Sequence, residues 1–295
     1  MKLNRLVNFA LFFFIGLHVI GQPRYDSDLV ENSNLKYQGE AYSMVKLSRE
    51  NKIIHAKYIA STDRGSIASQ YEEFASNNNI ICYSSGAYMN DLRAASAGVI
   101  GLCVDNGRIV SKKPAEDKYG NYTCDALVIV YATGGVVVSN LDEGSLTAGG
   151  NSYTDLRNDE RQTERFLEWA ERDNATVFQT HLLVQNDQLK MDRTSSSKAP
   201  RERRFLAACE DSDGTIYHCL INKPSPESLY DASQKVLNFL NDYEDLKVIW
   251  MVNLDTGAQD VAQLFNPSGT VNPNFKGAKP GLSSARNLLI YHYVR

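Results

Sequence analysis

The sequence has little proline and no strong bias towards a few residue types. Its 295 residues include 8 prolines and 19 glycines, and 43% are hydrophobic while 22% are charged. Disordered, collagen-like and coiled-coil chains all need a compositional bias that is absent here. The chain has enough apolar residues to bury a sizeable core, and we expect an ordinary globular protein.

The sequence also lacks an excess of basic residues. It has 31 lysines and arginines against 35 acidic residues, which gives a formal net charge of -4. Proteins that bind nucleic acids usually carry a positive field that attracts the phosphate backbone. We therefore expect no nucleic-acid partner.

Long hydrophobic runs are missing beyond the first residues. Lys2 and Arg5 precede the apolar run 9–17, and the small residue Gly21 follows, which is the order of a secretory signal peptide. The run is shorter than the ~20 residues that cross a bilayer as a helix. We predict a signal peptide over 1–21 that is cleaved near Gly21, no membrane span, and a periplasmic or secreted product.

Cysteine is too sparse for a disulfide scaffold. The five cysteines are Cys82, Cys103, Cys124, Cys209 and Cys219, an odd number without a C-x-x-C pair or a Cys/His cluster. No structural zinc site and no cofactor are predicted, although a divalent cation remains possible without a ligand motif. If Asp213-Gly214 is a two-residue turn, Cys209 faces His218. Cys209 and Cys219 then lie on opposite faces of the hairpin and cannot bond.

Alternating apolar and polar residues predict more strands than helices. The predicted strands are 42–47, 53–59, 80–83, 99–104, 108–110, 126–131, 136–139, 176–178, 182–185, 205–209, 215–221 and 246–252. Helices are predicted at 66–75, at 158–172 and after an N-cap at Ser225. We expect a mixed α+β fold, with mainly antiparallel sheets and flanking helices, in a single domain over 41–295. A polar lead-in at 22–40 precedes it, and 190–204 is predicted to be a mobile basic loop.

Several common catalytic motifs are absent. The sequence has no G-x-S-x-G, P-loop, G-x-G-x-x-G or H-E-x-x-H pattern. Asp255 is the most informative candidate, because it follows a nearly continuous apolar strand and precedes Gly257, where a scaffold often presents a catalytic group. An Asp that only caps a turn is the alternative.

The triplet Asp255-Thr256-Gly257 also matches the aspartic-protease motif. That chemistry needs two carboxylates that share a proton, and the sequence contains no second D-T-G or D-S-G triplet. Only 38 residues follow Gly257 (295 minus 257), and many of them are polar. An aspartic protease-like enzyme is therefore a lesser alternative.

Seven segments carry a resemblance that spans about 200 residues. In chain order they are 84–89, 101–110, 177–184, 204–214, the predicted helix from Leu229, 253–257 and 286–290. Their order and spacing resemble the successive blocks of the phosphodiester glycosidase family. The sequence departs from the family pattern at Ser85 and Ala87, at Phe205, and at 255–259, where D-T-G-A-Q replaces D-G-G-G-S.

The resemblance implies a hydrolase that cleaves sugar-1-phosphodiester linkages in glycans, with a glycan or sugar phosphate as its partner. It implies that Asp255 acts as an acid, a base or a stabiliser of positive charge, and that Arg204 holds the phosphate. The implied substrate-binding residues are Ser85, Gly86, Gln179, His181, Asn253, Gly257 and Arg286. Because the residues after Asp255 differ from the pattern, the alternative is a catalytically weak carbohydrate-binding protein on the same scaffold.

Overall fold

The computed structural model describes residues 25–60, 63–89, 98–115, 124–191, 200–257 and 259–294. The strands in these ranges are β1 Val30–Tyr37, β2 Glu40–Ser48, β3 Ile54–Ile59, β4 Asn79–Ser84, β5 Cys103–Asp105, β6 Arg108–Ser111, β7 Ala126–Val130, β8 Val136–Asn140, β9 Ser145–Ala148, β10 Asn151–Thr154, β11 Thr176–Thr180, β12 Leu182–Gln185, β13 Gln188–Leu189, β14 Arg201–Glu210, β15 Ile216–Glu227, β16 Lys247–Leu254, β17 Ala262–Phe265, β18 Val271–Lys276 and β19 Leu288–Tyr293. The α-helices are α1 Ile67–Asn77, α2 Glu160–Arg172 and α3 Leu229–Asn238, and a π-helical turn, Phe239–Tyr243, continues α3.

The strands form three larger sheets and one small hairpin. The seven-stranded sheet has the order β1-β2-β15-β14-β16-β12-β13. The β4 sheet has the order β18-β17-β4-β19-β3, and the β11 sheet has the order β6-β5-β11-β7-β8. β9 and β10 form the hairpin, and every strand pair in the described chain is antiparallel.

The inner faces of the three sheets share one core. The β4 sheet contributes Tyr58 and Tyr291, the β11 sheet contributes Phe178, and the seven-stranded sheet contributes Leu206 and Val252. The rings of Tyr58 and Phe178 stack with their centroids 4.5 Å apart. Because the sheets meet through side chains, their strand ends come together at two opposite ends of this core.

Each sheet carries a helix on its outer face. α3 packs on the seven-stranded sheet, α2 on the β11 sheet and α1 on the β4 sheet. α2 packs in this way because it has one apolar stripe on an otherwise charged helix. The buried residues of this stripe are Phe166, Leu167, Trp169 and Ala170. The Asp159 side chain caps this helix by accepting the amides of Arg161 and Gln162.

The predicted α+β class with mainly antiparallel sheets is confirmed. The predicted Asn106-Gly107 turn between β5 and β6 is also present, with φ of 49° and 77° at the two residues. The assignment of 41–295 to a single domain stays a prediction. None of the described helices is long and apolar enough to cross a membrane, and the predicted signal peptide lies outside the described residues.

Part of the predicted polar lead-in is a strand. β1 pairs with β2 from Val30 opposite Leu47 to Tyr37 opposite Glu40. β1 is an edge strand without a fully buried residue, and its polar sequence is hard to distinguish from that of a loop.

The predicted basic loop ends earlier than expected. β14 begins at Arg201, and Arg204 pairs across the sheet with Asn222 on one side and Leu254 on the other. Charged residues in an interior strand break the apolar pattern by which strands are recognised. Residues 192–199 of the predicted loop lie outside the described ranges.

Helix α3 begins later than predicted. β15 runs through Ser225 to Glu227, and the N-cap is Ser228, whose hydroxyl accepts the amide of Asp231. Ser228 and Asp231 have the spacing of a capping box, which competes locally with the Ser225-Pro226 signal.

The predicted register of the β14–β15 hairpin is wrong by one residue. Cys209 pairs with Tyr217 rather than with His218, because the turn spans Asp211–Thr215 and is held by the Asp211 side chain. Cys209 and Cys219 therefore lie in the same outer core, and both are free thiols.

Gly149 and Gly150 form the turn of the β9–β10 hairpin. Alanine substitutions at these two positions test how closely the turn packs against α2. Both have positive φ, at 55° and 75°, but a Cβ at Gly149 would lie 1.9 Å from Nε1 of buried Trp169, whereas nothing lies within 4 Å of one at Gly150. We expect Gly150→Ala to cost about 1 to 2 kcal/mol for the backbone, and Gly149→Ala about 1 to 3 kcal/mol more. Urea unfolding of both variants measures the difference; equal losses would contradict the close packing.

Candidate functional site

Strand ends from all three sheets converge at one end of the core. The Asp255 amide, just after β16, donates to the carbonyl of Gly86, just after β4, over 2.9 Å. The Thr180 hydroxyl at the end of β11 donates to the Asn253 carbonyl over 2.5 Å. These bonds join the three sheets, and they bring together the segments around Gly86, Thr180 and Asp255 that were predicted to form a site.

The turn Ser85-Gly86-Ala87 is held by a buried amide. Oδ1 of Asn287, just before β19, accepts the amides of Gly86 and Ala87, each over 2.9 Å. The Ser85 hydroxyl donates to the Asp255 carbonyl. A Cβ at Gly86 would lie 2.8 Å from the Tyr58 ring, so only glycine allows this approach. Ser85 and Gly86 therefore position the Asp255 segment and are themselves fully covered.

The Asp255 carboxylate lies at the centre of this arrangement. Oδ1 accepts the Gly257 amide over 2.7 Å, and Oδ2 accepts Nε2 of Gln259, also over 2.7 Å. Burial raises the pKa of Asp255 above its ordinary value of 3.8, although both hydrogen bonds and Arg204 act in the opposite direction. The bond to Gly257 is the turn cap that the sequence offered as the alternative, and the raised pKa is what a general acid needs.

Gln259 links the carboxylate to the rest of the site. Its Nε2 also donates to the Ala87 carbonyl over 2.9 Å, and its Oε1 accepts the Arg286 amide over 3.1 Å. The Arg286 side chain is exposed, and it has no acidic partner among the described residues. Gln259 thus connects the backbone of Arg286 to the Asp255 carboxylate, and Arg286 itself is exposed.

Arg204 is close to Asp255 but does not face solvent. Only 2% of the Arg204 surface is exposed, and its Nη2 lies 2.8 Å from Oδ1 of Asp260. Nε donates to Oδ1 of Asn222 over 2.6 Å, and Nη1 lies 3.4 Å from the Ser84 hydroxyl. A bidentate grip on phosphate would require Arg204 to release these partners, so the arrangement does not fit the role that the resemblance implies. Arg204 instead holds the Asp255–Asp260 loop against β4.

The side-chain amide of Gln179 also bonds to backbone groups of the fold and is not available to a substrate. Its Oε1 accepts the amides of Leu102 and Ala115, over 3.0 and 2.9 Å, and its Nε2 donates to the Cys124 carbonyl over 2.6 Å. The side chain is fully buried. Its amide therefore ties three loops together, which corrects its expected place on the substrate.

His181 lies beside the ring of Tyr88 and the thiol of Cys124. Its ring packs at 60° against Tyr88, with centroids 5.1 Å apart, and Nδ1 lies 3.9 Å from Sγ of Cys124. His181 therefore belongs to the rim of this end of the core, where both neighbours are partly exposed.

The Asn253 side chain forms no hydrogen bond with the Asp255 carboxylate. It pairs with Phe205, whose side chain lies in the outer core beneath α3, so the Asn253 side chain is on the outer face of the sheet. Its Oδ1 is buried and has no hydrogen-bond partner in the described part of the chain. The backbone of Asn253 serves the site through Thr180, and its amide does not reach the carboxylate.

The aspartic-protease alternative lacks its second carboxylate. The carboxyl group close to Asp255 is that of Asp260, which pairs with Arg204 and accepts the Ala278 amide through Oδ2, 2.8 Å away. The Thr256 hydroxyl donates to the Glu202 carbonyl over 2.8 Å. A carboxylate neutralised by arginine cannot share a proton with Asp255. No group of three or more possible metal ligands occurs among the described residues.

The sequence reasoning missed Asn287 and undervalued Gln259 and Asp260. Each acts through buried partners distant in the chain, and no local pattern reveals such contacts. Asn287 lies between Arg286 and the apolar run 288–290, and an amide directly before a buried strand was the available signal.

No protein-family model and no curated protein sequence match the chain. Among solved structures, it is similar to the catalytic domain of zebrafish N-acetylglucosamine-1-phosphodiester alpha-N-acetylglucosaminidase, auto-inhibited by its pro-peptide. The TM-score is 0.49 at 9% identity, covering 90% of this chain and 82% of that one. A hypothetical protein from Synechocystis gives a TM-score of 0.48 at 10% identity, covering 90% of this chain and 62% of that one. A Burkholderia pseudomallei protein gives 0.43 at 10% identity, covering 85% and 74%. Similarities of this size carry no argument about activity.

Because Arg204 and Asp260 form a buried ion pair, we expect the effects of mutating them on the free energy of unfolding to be strongly coupled. Arg204→Met leaves a buried carboxylate unpaired and Asp260→Asn leaves a buried guanidinium unpaired, so each should cost about 3 to 5 kcal/mol of unfolding free energy. The double variant should cost clearly less than the sum of the two losses. Urea unfolding of the three variants gives the coupling energy, and additive losses would show that the pair does not hold the loop.

The raised pKa of Asp255 predicts a pH-dependent contribution to stability. The folded state holds this proton more tightly than the unfolded state, so the carboxyl lowers the free energy of unfolding as the pH rises from about 3.8 to the raised pKa. Asp255→Asn removes this dependence. The stability of the wild type minus that of the variant should therefore fall across that pH window and be constant on either side. A difference that rises with pH would show a lowered pKa instead.

Proposed function

We propose that the chain is a phosphodiester glycosidase-like hydrolase that cleaves sugar-1-phosphodiester linkages in glycans after export from the cytoplasm. The observation that supports this most is the Asp255 carboxyl, which is buried, has a raised pKa and is fixed by Gly257 and Gln259 where three sheets meet. The order of the sequence blocks supports the same assignment independently.

In this proposal Asp255 is the catalytic carboxyl. Departure of a phosphate from a sugar carbon develops positive charge on the ring and negative charge on the leaving group. A protonated carboxyl can donate to the leaving oxygen, and the carboxylate left behind stabilises the positive ring. Water then adds to the ring carbon and gives a proton back to the carboxylate, which completes the hydrolysis. Gln259 and the Gly257 amide hold the two oxygens so that the group needs little reorganisation during the reaction.

Arg286 is the proposed phosphate-binding cation. Arg286 is exposed and its backbone amide is held by Gln259, whereas Arg204 is covered and paired with Asp260. Arg204 is then a positioning residue, which acts on Asp255 through the loop that Asp260 anchors. His181 and Tyr88 at the rim are the proposed contacts for the sugar.

A catalytically weak carbohydrate-binding protein is the second candidate. One observation favours it: both Asp255 oxygens already accept hydrogen bonds from the protein, and only 6% of the residue is exposed. Such a carboxyl could serve the turn alone. The two candidates differ in whether sugar is released.

The activity test uses UDP-N-acetylglucosamine and an aryl N-acetylglucosamine 1-phosphodiester. We expect sugar release by the wild type, and a fall in kcat of about 10²- to 10⁴-fold in Asp255→Asn, because a general acid contributes this much. Asp213→Asn, at an exposed turn, is the matched control and should keep full activity. Binding without release would favour the second candidate, and neither binding nor release would refute both.

If Arg286 binds the phosphate of the substrate, its loss should affect KM more than kcat. Arg286→Gln should raise KM by about tenfold, the loss of one charge-assisted hydrogen bond to phosphate, with a smaller change in kcat. Arg201→Gln, which removes an exposed arginine from β14, is the control for net charge. An unchanged KM in Arg286→Gln would exclude this residue from the phosphate site.

A further inference from the structure

A large cleft lies at the opposite end of the core from Asp255. It has a volume of about 490 Å³ and is lined by residues from α1, β3 and β19 on one side and from the turns of the β11 sheet on the other. The strand registers fix its place, because Val130 and Thr176 line the cleft while Ala126 and Thr180, at the other ends of the same two strands, face the Asp255 end. This volume suits a small ligand.

The cleft contains two cations, Lys57 and Arg64, that form no ion pair with a described residue. Nζ of Lys57 donates to Oδ1 of Asn106 over 3.2 Å. The fully covered Lys223, by contrast, does form ion pairs. Its Nζ lies 3.1 Å from Oε2 of Glu40 and 2.8 Å from Oε1 of Glu227. Burial lowers the pKa of Lys57, the Asp105 carboxylate opposes this shift without forming an ion pair, and Arg64 adds to it. An anion bound at Nζ would lower the cost of burying this ammonium further.

Two histidines also line the cleft. His55 and His292 pair across β3 and β19, with ring centroids 5.8 Å apart. His292 is only 8% exposed, and its Nδ1 has no hydrogen-bond partner within the described ranges. Burial, followed by the charges of His55 and Lys57, lowers the pKa of His292 to about 4. The acidic groups on the lining are Glu73, on α1, and Asp105. Oδ2 of Asp105 accepts the Ala60 amide, and its charge also attracts Lys57.

The remaining lining suits a sugar ring. Phe74 and Tyr131 offer partly exposed aromatic surface, and the Phe74 ring packs against His292 with centroids 5.0 Å apart. Asn77 and Asn78, at the end of α1, donate to helix carbonyls through Nδ2. Their Oδ1 atoms are left to accept hydrogen bonds from hydroxyl groups.

We propose that this cleft binds a small anionic sugar, with Lys57 and Arg64 on the anionic group and with the asparagines and aromatic rings on the sugar. The anionic group is a carboxylate or a phosphate, which share the charge and the acceptor oxygens that the two cations need. The inference does not depend on the proposed hydrolase activity, because the cleft and Asp255 lie at opposite ends of the core.

The experiment is calorimetric titration of the full chain with glucose 6-phosphate, glucuronate, glucose and inorganic phosphate. We expect one or both anionic sugars to bind, and to bind at least about tenfold more tightly than glucose or phosphate alone. The sugar that binds identifies the anionic group. Equal affinity for glucose would refute the role of the cations, equal affinity for phosphate would refute the role of the sugar contacts, and no binding of either anionic sugar would refute the site.

Variants locate the binding. Arg64→Gln, at an exposed position, should weaken the anionic sugar by about tenfold, and Lys57→Met should do the same if it folds. Arg108→Gln is the control, because Arg108 is partly exposed and pairs with Asp63 nearby without lining the cleft. Asp255→Asn should leave the affinity unchanged. Loss of binding in Asp255→Asn, or full binding in Arg64→Gln, would show that the sugar occupies another place.

Discussion

The hydrogen-bonding needs of strand ends at the shared core determine much of this structure. Where β4, β11 and β16 leave their ladders, buried backbone groups lose their neighbours and must find other partners. Three side-chain amides supply them: Gln179, Gln259 and Asn287 each bond to backbone groups from other segments. An amide suits this task because it both donates and accepts without adding charge to the interior. The three sheets are thereby fixed to one another at the end where Asp255 lies.

The same cross-links set the chemistry of Asp255. They exclude water from the carboxyl, which raises its pKa, and they supply two donors, which limit that rise. A group held between these opposing effects has its orientation fixed before any substrate arrives, as a catalytic acid requires. The cost is that an incoming sugar must approach a carboxyl whose oxygens are already in use. This balance between preorganisation and access separates an enzyme from a binding protein on this scaffold.

The sequence predicted the α+β class and most strands, and it singled out the segments around Ser85, Gly86 and Asp255, which hydrogen bonds join in the structure. Those predictions rest on local patterns, namely alternation, turn residues and a polar residue after an apolar strand. The errors have nonlocal causes. Arg204 is in an interior strand because Asp260, 56 residues later (260 minus 204), neutralises it. The face on which the Asn253 side chain lies is set by its pairing with Phe205 in the sheet. The Gln179 side chain bonds to loops that no sequence motif links to it.

Charge is paired differently at the two ends of the core. At the Asp255 end the buried guanidinium of Arg204 lies 2.8 Å from the Asp260 carboxylate. At the cleft end Lys57 and Arg64 share the lining with Glu73 and Asp105, yet neither cation forms an ion pair with a described residue. Fully covered Lys223, by contrast, lies within ion-pair distance of two glutamates. An anion bound in the cleft would supply the close partner that Lys57 and Arg64 lack within the described chain.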